Sequence, residues 1–221
     1  MAQLLFTARH GGTSIGEFDS LNLANHVGDA PGAVEENRII LKSLLSQAHP
    51  IFMNQVHGNQ VVEVFDNSLT PITADAIITR KLGLPLAVLS ADCLPVLVKG
   101  ESIVGVIHAG RKGILNGIIS QTILKMRALG GVDLEATIGP AICGQCYEVD
   151  PQMYLDAISV EPNLATNVET HCLDLKKAAA AQLQIHNVSV ADLEICTAHD
   201  LNFFSYRRDG ISGRNVGVIV L

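Results

Sequence analysis

The chain has 221 residues, 48% of them hydrophobic but only 4% aromatic and none Trp, which suits one sizeable domain (1–221) around an aliphatic core of Val, Ile, Leu and Ala. A formal net charge of -7 with no basic block removes the attraction that a nucleic-acid backbone needs, so no nucleic-acid partner is expected. No apolar run reaches the roughly 20 residues that span a bilayer, and Met1-Ala-Gln-Leu-Leu-Phe6 carries no basic or apolar leader, so no membrane partner is expected and the cytoplasm is the default location.

In chain order, an apolar run predicts a first strand over 4–8. Asp29-Ala-Pro31 then opens a helix whose stripe is Val34, Ile40, Leu41, Leu44 and Leu45, closed by Pro50. Strands follow over 51–56, 61–65, 76–79, 86–89, 96–98 and 103–107, several as continuous β-branched runs that imply burial on both faces. A helix over 114–129 stops at Gly130-Gly131, and a strand covers 136–138. Helices over 151–158, with Asp150 as its cap, and over 173–185 precede a last strand over 216–220. The expected fold class is α+β, a layered mixed β-sheet flanked by helices.

Three segments share one form, an apolar run ending in a polar or reactive residue beside small ones. They are Phe52-Met-Asn-Gln-Val-His57-Gly58, Leu86-Ala-Val-Leu-Ser-Ala-Asp92-Cys93 and Ile103-Val-Gly-Val-Ile-His108-Ala-Gly110. Strand ends project side chains from a rigid scaffold, and glycines allow close approach. If the ends converge, they present two imidazoles and one thiolate. Such a His₂Cys set leaves a fourth tetrahedral position open, the mark of a catalytic rather than a structural zinc site. The same trio also suits a nucleophilic thiol with a His base. Taken singly, each residue has a plainer reading, as a small buried hydrophobe or a hydrogen-bonded bystander.

Five cysteines, at 93, 143, 146, 172 and 196, make an odd count that reads as free thiols or metal ligands in a reducing compartment. Cys143-Gly-Gln-Cys146 is a CxxC without a second CxxC, a weak zinc signal. Anion-binding candidates are Arg9 before Gly11-Gly12, Arg111-Lys112, and Tyr206-Arg207-Arg208-Asp209-Gly210 with Gly213-Arg214. Solvated loops, with Asp209 pairing one arginine, are the plainer account of these. His26, His49, His171 and His186 have no partner spacing that suggests a site, and His199-Asp200 reads as a polar surface pair.

Together these segments resemble the YfiH family, whose members are purine nucleoside phosphorylases formerly labelled laccase-domain or polyphenol-oxidase proteins. The resemblance rests on Arg9-His-Gly-Gly12, Leu21-Asn22-Leu23, Val34-Glu-Glu-Asn-Arg38, Asn54-Gln55-Val-His-Gly58, Ser90-Ala-Asp-Cys-Leu-Pro95, His108-Ala-Gly110, Ile138-Gly-Pro-Ala-Ile142, Tyr147-Glu-Val149 and Ser205-Tyr-Arg-Arg-Asp-Gly210. It runs in order over nearly the whole chain. It implies that His57, Cys93 and His108 are the catalytic trio and bind Zn²⁺, with copper as an adventitious metal. The candidate substrate or phosphate contacts are Arg9, Asn22, Gln55, Arg111 and Arg207. The implied reaction is phosphorolysis of adenosine, inosine, guanosine or methylthioadenosine to base and ribose-1-phosphate, with adenosine deamination alongside. The implied fold is layered α+β, related to cysteine hydrolases of the deamidating-toxin type. One departure stands out: the family usually reads His-Ala-Gly-Trp-Arg-Gly where this chain has His108-Ala-Gly-Arg111-Lys112-Gly113.

Three rivals remain. A metal-free cysteine hydrolase or deamidase would use Cys93 and His108. A laccase-type polyphenol oxidase would need closely spaced His-x-His pairs, and no two of the eight histidines are two apart. A non-catalytic partner-binding domain would keep the trio for structure alone. Nothing in the sequence sets the oligomeric state, which stays open, a monomer being one option.

Overall fold

A strand buried on both faces has no reason to alternate polar with apolar residues. Leu86–Ser90, Leu94–Lys99 and Val104–Ala109 are buried almost throughout. The computed structural model describes residues 2–45, 49–66 and 71–221. It orders the chain as β1 (Gln3–Phe6), α1 (Pro31–Leu44), β2 (Ile51–Asn54), β3 (Val61–Glu63), β4 (Ile72–Thr73), β5 (Ala76–Thr79), β6 (Leu86–Ser90), β7 (Leu94–Lys99) and β8 (Val104–Ala109). There follow α2 (Arg111–Leu115), α3 (Ile118–Ala128), β9 (Glu135–Ile138), α4 (Pro151–Val160), α5 (Leu175–Ile185), β10 (Ser189–Asp192), α6 (Tyr206–Asp209) and β11 (Asn215–Val220).

The fold is α+β, as expected, but with two mixed sheets rather than one. One sheet runs β1-β11-β6-β2-β4 and the other β10-β9-β7-β8-β5-β3. Strand β6 shows why the apolar runs are continuous. Leu86 and Val88 join Leu97, Val104 and Val106 in the seam between the sheets, while Ala87 and Leu89 pack with Leu41 of α1 on the other side. The outer face of the six-stranded sheet is covered by Ile119, Ile123 and Met126 of α3 and by Ala178 and Leu183 of α5. The layers are therefore helix, sheet, sheet, helix. Each fully buried Leu or Ile contributes about 1.5–3 kcal/mol.

Local chemistry sets the ends that differ from expectation. The single helix expected over 114–129 is two, because Gly117 takes φ +76 between α2 and α3, a conformation open to glycine without penalty. Helix α5 starts at Leu175 because Asp174 caps it, accepting the Lys177 N–H at 2.9 Å. Asp150 caps α4 as expected, accepting from the Gln152 and Met153 N–H groups. Helix α1 ends at Leu44, before Pro50, and 46–48 lie outside the described residues. Strands β4 and β10 were not expected; both are sheet edges.

Three features of this framework position the site. The chain crosses from one sheet to the other between β6 and β7, at 91–93. The segment after β2 carries His57, and the end of β8 carries His108.

Candidate active site

The crossover turn is tight. Asp92 takes φ +98, and Ser90 Oγ donates to the Cys93 carbonyl. A positive φ is uncommon outside glycine, and at Asp92 the surroundings hold it. Here Asp92 Oδ1 accepts from Thr197 Oγ1 and Ser205 Oγ, both at 2.7 Å, and Oδ2 accepts the Arg207 N–H at 2.6 Å. The turn aims Cys93 toward the ends of the neighbouring segments. His57, itself at φ +57, Cys93 and His108 each bring a ligand atom, all within 4.8 Å of one another. The two imidazole centroids are 4.7 Å apart. The convergence that sequence could only suppose is therefore present.

Asp75 organises this cluster, and sequence reasoning missed it. It is fully buried one residue before β5. Its carboxylate accepts backbone N–H groups of Val56 at 3.2 Å, His57 at 2.9 Å and Gly58 at 2.7 Å. Its Oδ1 also lies 2.8 Å from His108 Nδ1. One carboxylate thus fixes the segment bearing one imidazole and orients the other, turning His108 Nε2 toward the cluster. A carboxylate–histidine pair of this kind is the usual support of a metal-ligating imidazole.

Electrostatics follow from this packing. Burial pushes the His108 imidazolium down, but Asp75 and Cys93 outweigh it and raise its pKa to about 9. Burial pushes the Cys93 thiol up, yet hydrogen bonds and charge from His108 and His57 bring it down to about 6. Asp75 is raised by burial and held below the usual carboxylate range by His108 and the Gly58 and Val56 N–H groups. The thiol is thus primed to be a thiolate, the form in which sulfur is both ligand and nucleophile.

The donor set fits a metal ion on a second ground. A Cβ added to Gly110 would lie 2.9 Å from Cys93 Sγ and 3.0 Å from His57 Nδ1. The space beside these atoms is kept bare by the one residue without a side chain. Gly110 has φ -78, so alanine fits its backbone and only the space is at stake. Gly110→Ala is expected to spread the trio, lower stability by about 1–3 kcal/mol and reduce metal uptake at this site. A thermal melt with metal analysis checks both, and unchanged stability and uptake would show that the added methyl is accommodated without spreading the trio.

A cleft of about 390 Å³ opens on the trio and is also lined by His26, Gln55, Tyr206 and Arg214. A second cleft of about 390 Å³ shares Ala91, Cys93 and Tyr206 with it and adds Ile142, Tyr147 and Arg207. The Cys93 thiol therefore stands between two lobes. Of the expected substrate residues, Gln55 lines the first lobe while its amide pairs with Leu89 N and O, each at 2.9 Å. Arg207 lines the second, with its guanidinium 5.3 Å from the Tyr147 ring and donating to the Glu148 carbonyl at 2.7 Å. Arg111 borders the lobe indirectly: its charge pulls the Tyr147 phenol down against the burial that pushes it up.

Arg9 and Asn22 are placed elsewhere. Arg9 donates to the Asp19 carbonyl at 2.7 Å and lies 4.8 Å from the Phe204 ring centroid. Asn22 is fully buried, with its amide bonded to Ala24 and Asp29. Its Oδ1 accepts the Arg214 N–H at 3.0 Å, so it supports the segment bearing Arg214. Arg214 itself was singled out only within a loop motif, and His26 was set aside. The structure brings both into the first lobe.

A family model described as multi-copper polyphenol oxidoreductase laccase matches residues 3–221. A Streptomyces coelicolor protein named purine nucleoside phosphorylase is 40% identical over 98% of this chain and 94% of its own. A crystal structure of a Neisseria meningitidis protein superposes with a TM-score of 0.91 at 33% identity, covering 100% of this chain and 94% of that one. A Bacillus licheniformis protein titled hypothetical protein YfiH gives 0.89 at 29%, covering 100% and 92%.

Proposed function

We propose, from the premise that this chain belongs to the family described as multi-copper polyphenol oxidoreductase laccase, that it is a zinc-dependent purine nucleoside phosphorylase acting through one catalytic domain over 1–221. The observation that carries the reading is the His57, Cys93 and His108 cluster at the junction of two lobes, with Gly110 bare beside it and Asp75 behind it. Relatives named purine nucleoside phosphorylase supply the substrate class. Substrates are then adenosine, inosine, guanosine or methylthioadenosine with phosphate, and adenosine deamination is a side activity. The cytoplasm, where phosphate and nucleosides are both present, is the proposed location.

The chemistry asks for a positioned anion, a cradled base and a cation-like ribose between them. In the first lobe, the half-buried Arg214 guanidinium, steadied by the Ser212 and Gly213 carbonyls, holds phosphate. In the second, Tyr147 and Tyr206 flank the purine, offering the aromatic surface that Arg111 does not provide at the usual Trp position. Phosphate attacks C1′ as the C1′–N bond breaks, and the departing base takes up a proton from solvent while the monohydrogen phosphate gives up its own on becoming ribose-1-phosphate. Zinc at the trio supplies Lewis acidity and positive charge when bound. His57, Cys93 and His108 are the residues that would hold it. Two histidines and a thiolate fit zinc; neither Cys/His cluster among the described residues holds more than two histidines, fewer than a trinuclear copper centre takes.

Incubation with adenosine, with and without phosphate, tests the reading. Adenine and ribose-1-phosphate are expected only when phosphate is present, and inosine reports the deaminase activity. Metal-loaded, folded protein that consumes no nucleoside at any phosphate level overturns the proposal. The lowered thiol beside a raised imidazole favours one second reading, a metal-free cysteine hydrolase. Chelation separates the two, since the hydrolase would keep its turnover.

A further inference from the structure

The CxxC of the sequence has a partner that its spacing alone does not reveal. Strands β9 and β10 pair in parallel, and the pairing continues past their ends into the loops. Leu193 N–H donates to the Ile138 carbonyl, Ala141 N–H to Ile195 and Thr197 N–H to Ala141, with a bridge between Ala141 and Cys196. This extension delivers two short turns side by side. In Cys143-Gly-Gln-Cys146 the Cys146 N–H returns to the Cys143 carbonyl at 3.1 Å. In Cys196-Thr-Ala-His199 the His199 N–H returns to the Cys196 carbonyl at 3.2 Å. The two turns have the same form, and each brings its first and fourth side chains together.

The result is a second cluster. The ligand atoms of Cys143, Cys146, Cys196 and His199 all lie within 4.8 Å of one another. Cys146 Sγ is 3.0 Å from His199 Nε2, and the Cys143 N–H donates to Cys196 Sγ at 3.4 Å. A tetrahedral ion with bonds of about 2.0–2.3 Å needs ligand atoms about 3.5–3.8 Å apart, so little movement is required. All four thiol or imidazole groups come from the chain, which leaves no open position. Three thiolates and one imidazole form a Cys₃His set, closed and structural.

We propose that Cys143, Cys146, Cys196 and His199 bind a second zinc ion that staples the loop after β9 to the loop after β10. The ion deprotonates its three thiols on binding, releases those protons to solvent and undergoes no redox change. Its consequence for the active site is direct. The first turn runs into Tyr147 and Glu148, and the second encloses Thr197. Tyr147 lines the second lobe, the Glu148 carbonyl accepts from Arg207, and Thr197 holds Asp92, on whose turn Cys93 sits. The staple fixes the wall against which substrate rests and contributes no group to the reaction.

The full chain, purified under reducing conditions, loaded with zinc and desalted, is expected to hold two zinc ions. Cys93→Ala should retain one, and Cys143→Ser/Cys146→Ser should retain one. Mapping of alkylated cysteines by mass spectrometry should show Cys143, Cys146 and Cys196 protected by zinc in Cys93→Ala and released by a chelator. His199→Ala changes an exposed side chain and guards against misfolding of the cysteine variants; it should weaken this protection without touching the trio. A single zinc that disappears in folded Cys93→Ala, alkylation unaffected by zinc, or a Cys143–Cys146 disulfide in the reduced preparation would each overturn the second site. None of these outcomes depends on which reaction the trio performs.

Discussion

Cys93→Ala should cost the protein its turnover and the metal of its trio together, while leaving the fold in place. The side chain removed is one sulfur at a sheet-to-sheet crossover, and the turn there is held by Asp92 through Thr197, Ser205 and the Arg207 N–H. Those bonds do not involve the thiol. What is lost is the only thiolate of the cluster and, with it, the tightest ligand of a His₂Cys set. Loss of an outer-shell partner lowers activity or metal affinity about 10–100-fold. Loss of a ligand itself should exceed the upper end of that range in kcat/KM. The measurement pairs a phosphorolysis assay with metal analysis and circular dichroism on one preparation. Turnover within tenfold of wild type, with metal still bound, would remove Cys93 from the reaction. The zinc and cysteine-hydrolase readings both foresee inactivity, so chelated wild-type protein is the necessary companion. Zinc should restore it under the first reading and change nothing under the second.

The legible parts of the fold are those where burial alone determines the sequence. Strand β5 falls on Ala76–Thr79 as expected because all four of its residues are buried between neighbours. Strand β10 went unseen because Ser189-Val-Ala-Asp192 is an exposed edge with almost no apolar signal. The break in the helix expected over 114–129 comes from one glycine's left-handed φ, at an Asn116-Gly117 turn signal that the helical reading passed over. The trio could be named because its members end apolar runs. Arg214 and His26 could not be ranked, since their value lies in facing the same cleft from distant loops. The Cys₃His cluster was half visible. Its two halves lie 53 residues apart and meet only because β9 and β10 pair in parallel. Asp75 was invisible for a related reason: its role is defined by three backbone donors and an imidazole from elsewhere in the chain, and no pattern of residue types encodes that.

Asp75→Asn is expected to damage metal affinity and stability at once, more than any other single change behind the ligands. The amide keeps the size of the carboxylate but replaces one acceptor oxygen with a donor. Asp75 faces only donors, namely the Val56, His57 and Gly58 N–H groups and His108 Nδ1. One of them must then meet another donor in a site with no exposure. Removing one partner of a buried pair costs about 3–5 kcal/mol, and the loosened imidazole should lower metal affinity about 10–100-fold. The pH dependence of the metal-free protein gives the sign. Asp75 has a folded pKa below its ordinary 3.8, so its stabilisation is fully present above that value and lost as pH falls through the folded one. His108 is raised from 6.5 to about 9, so its stabilisation is fully present below 6.5 and lost as pH rises through about 9. The stability gap between wild type and variant should therefore be widest between pH 3.8 and 6.5 and narrow above pH 9. Urea unfolding in chelator at pH 5.5 and pH 9.5 reads this directly. A gap that stays constant, or widens toward alkaline pH, would mean that Asp75 does not act through His108.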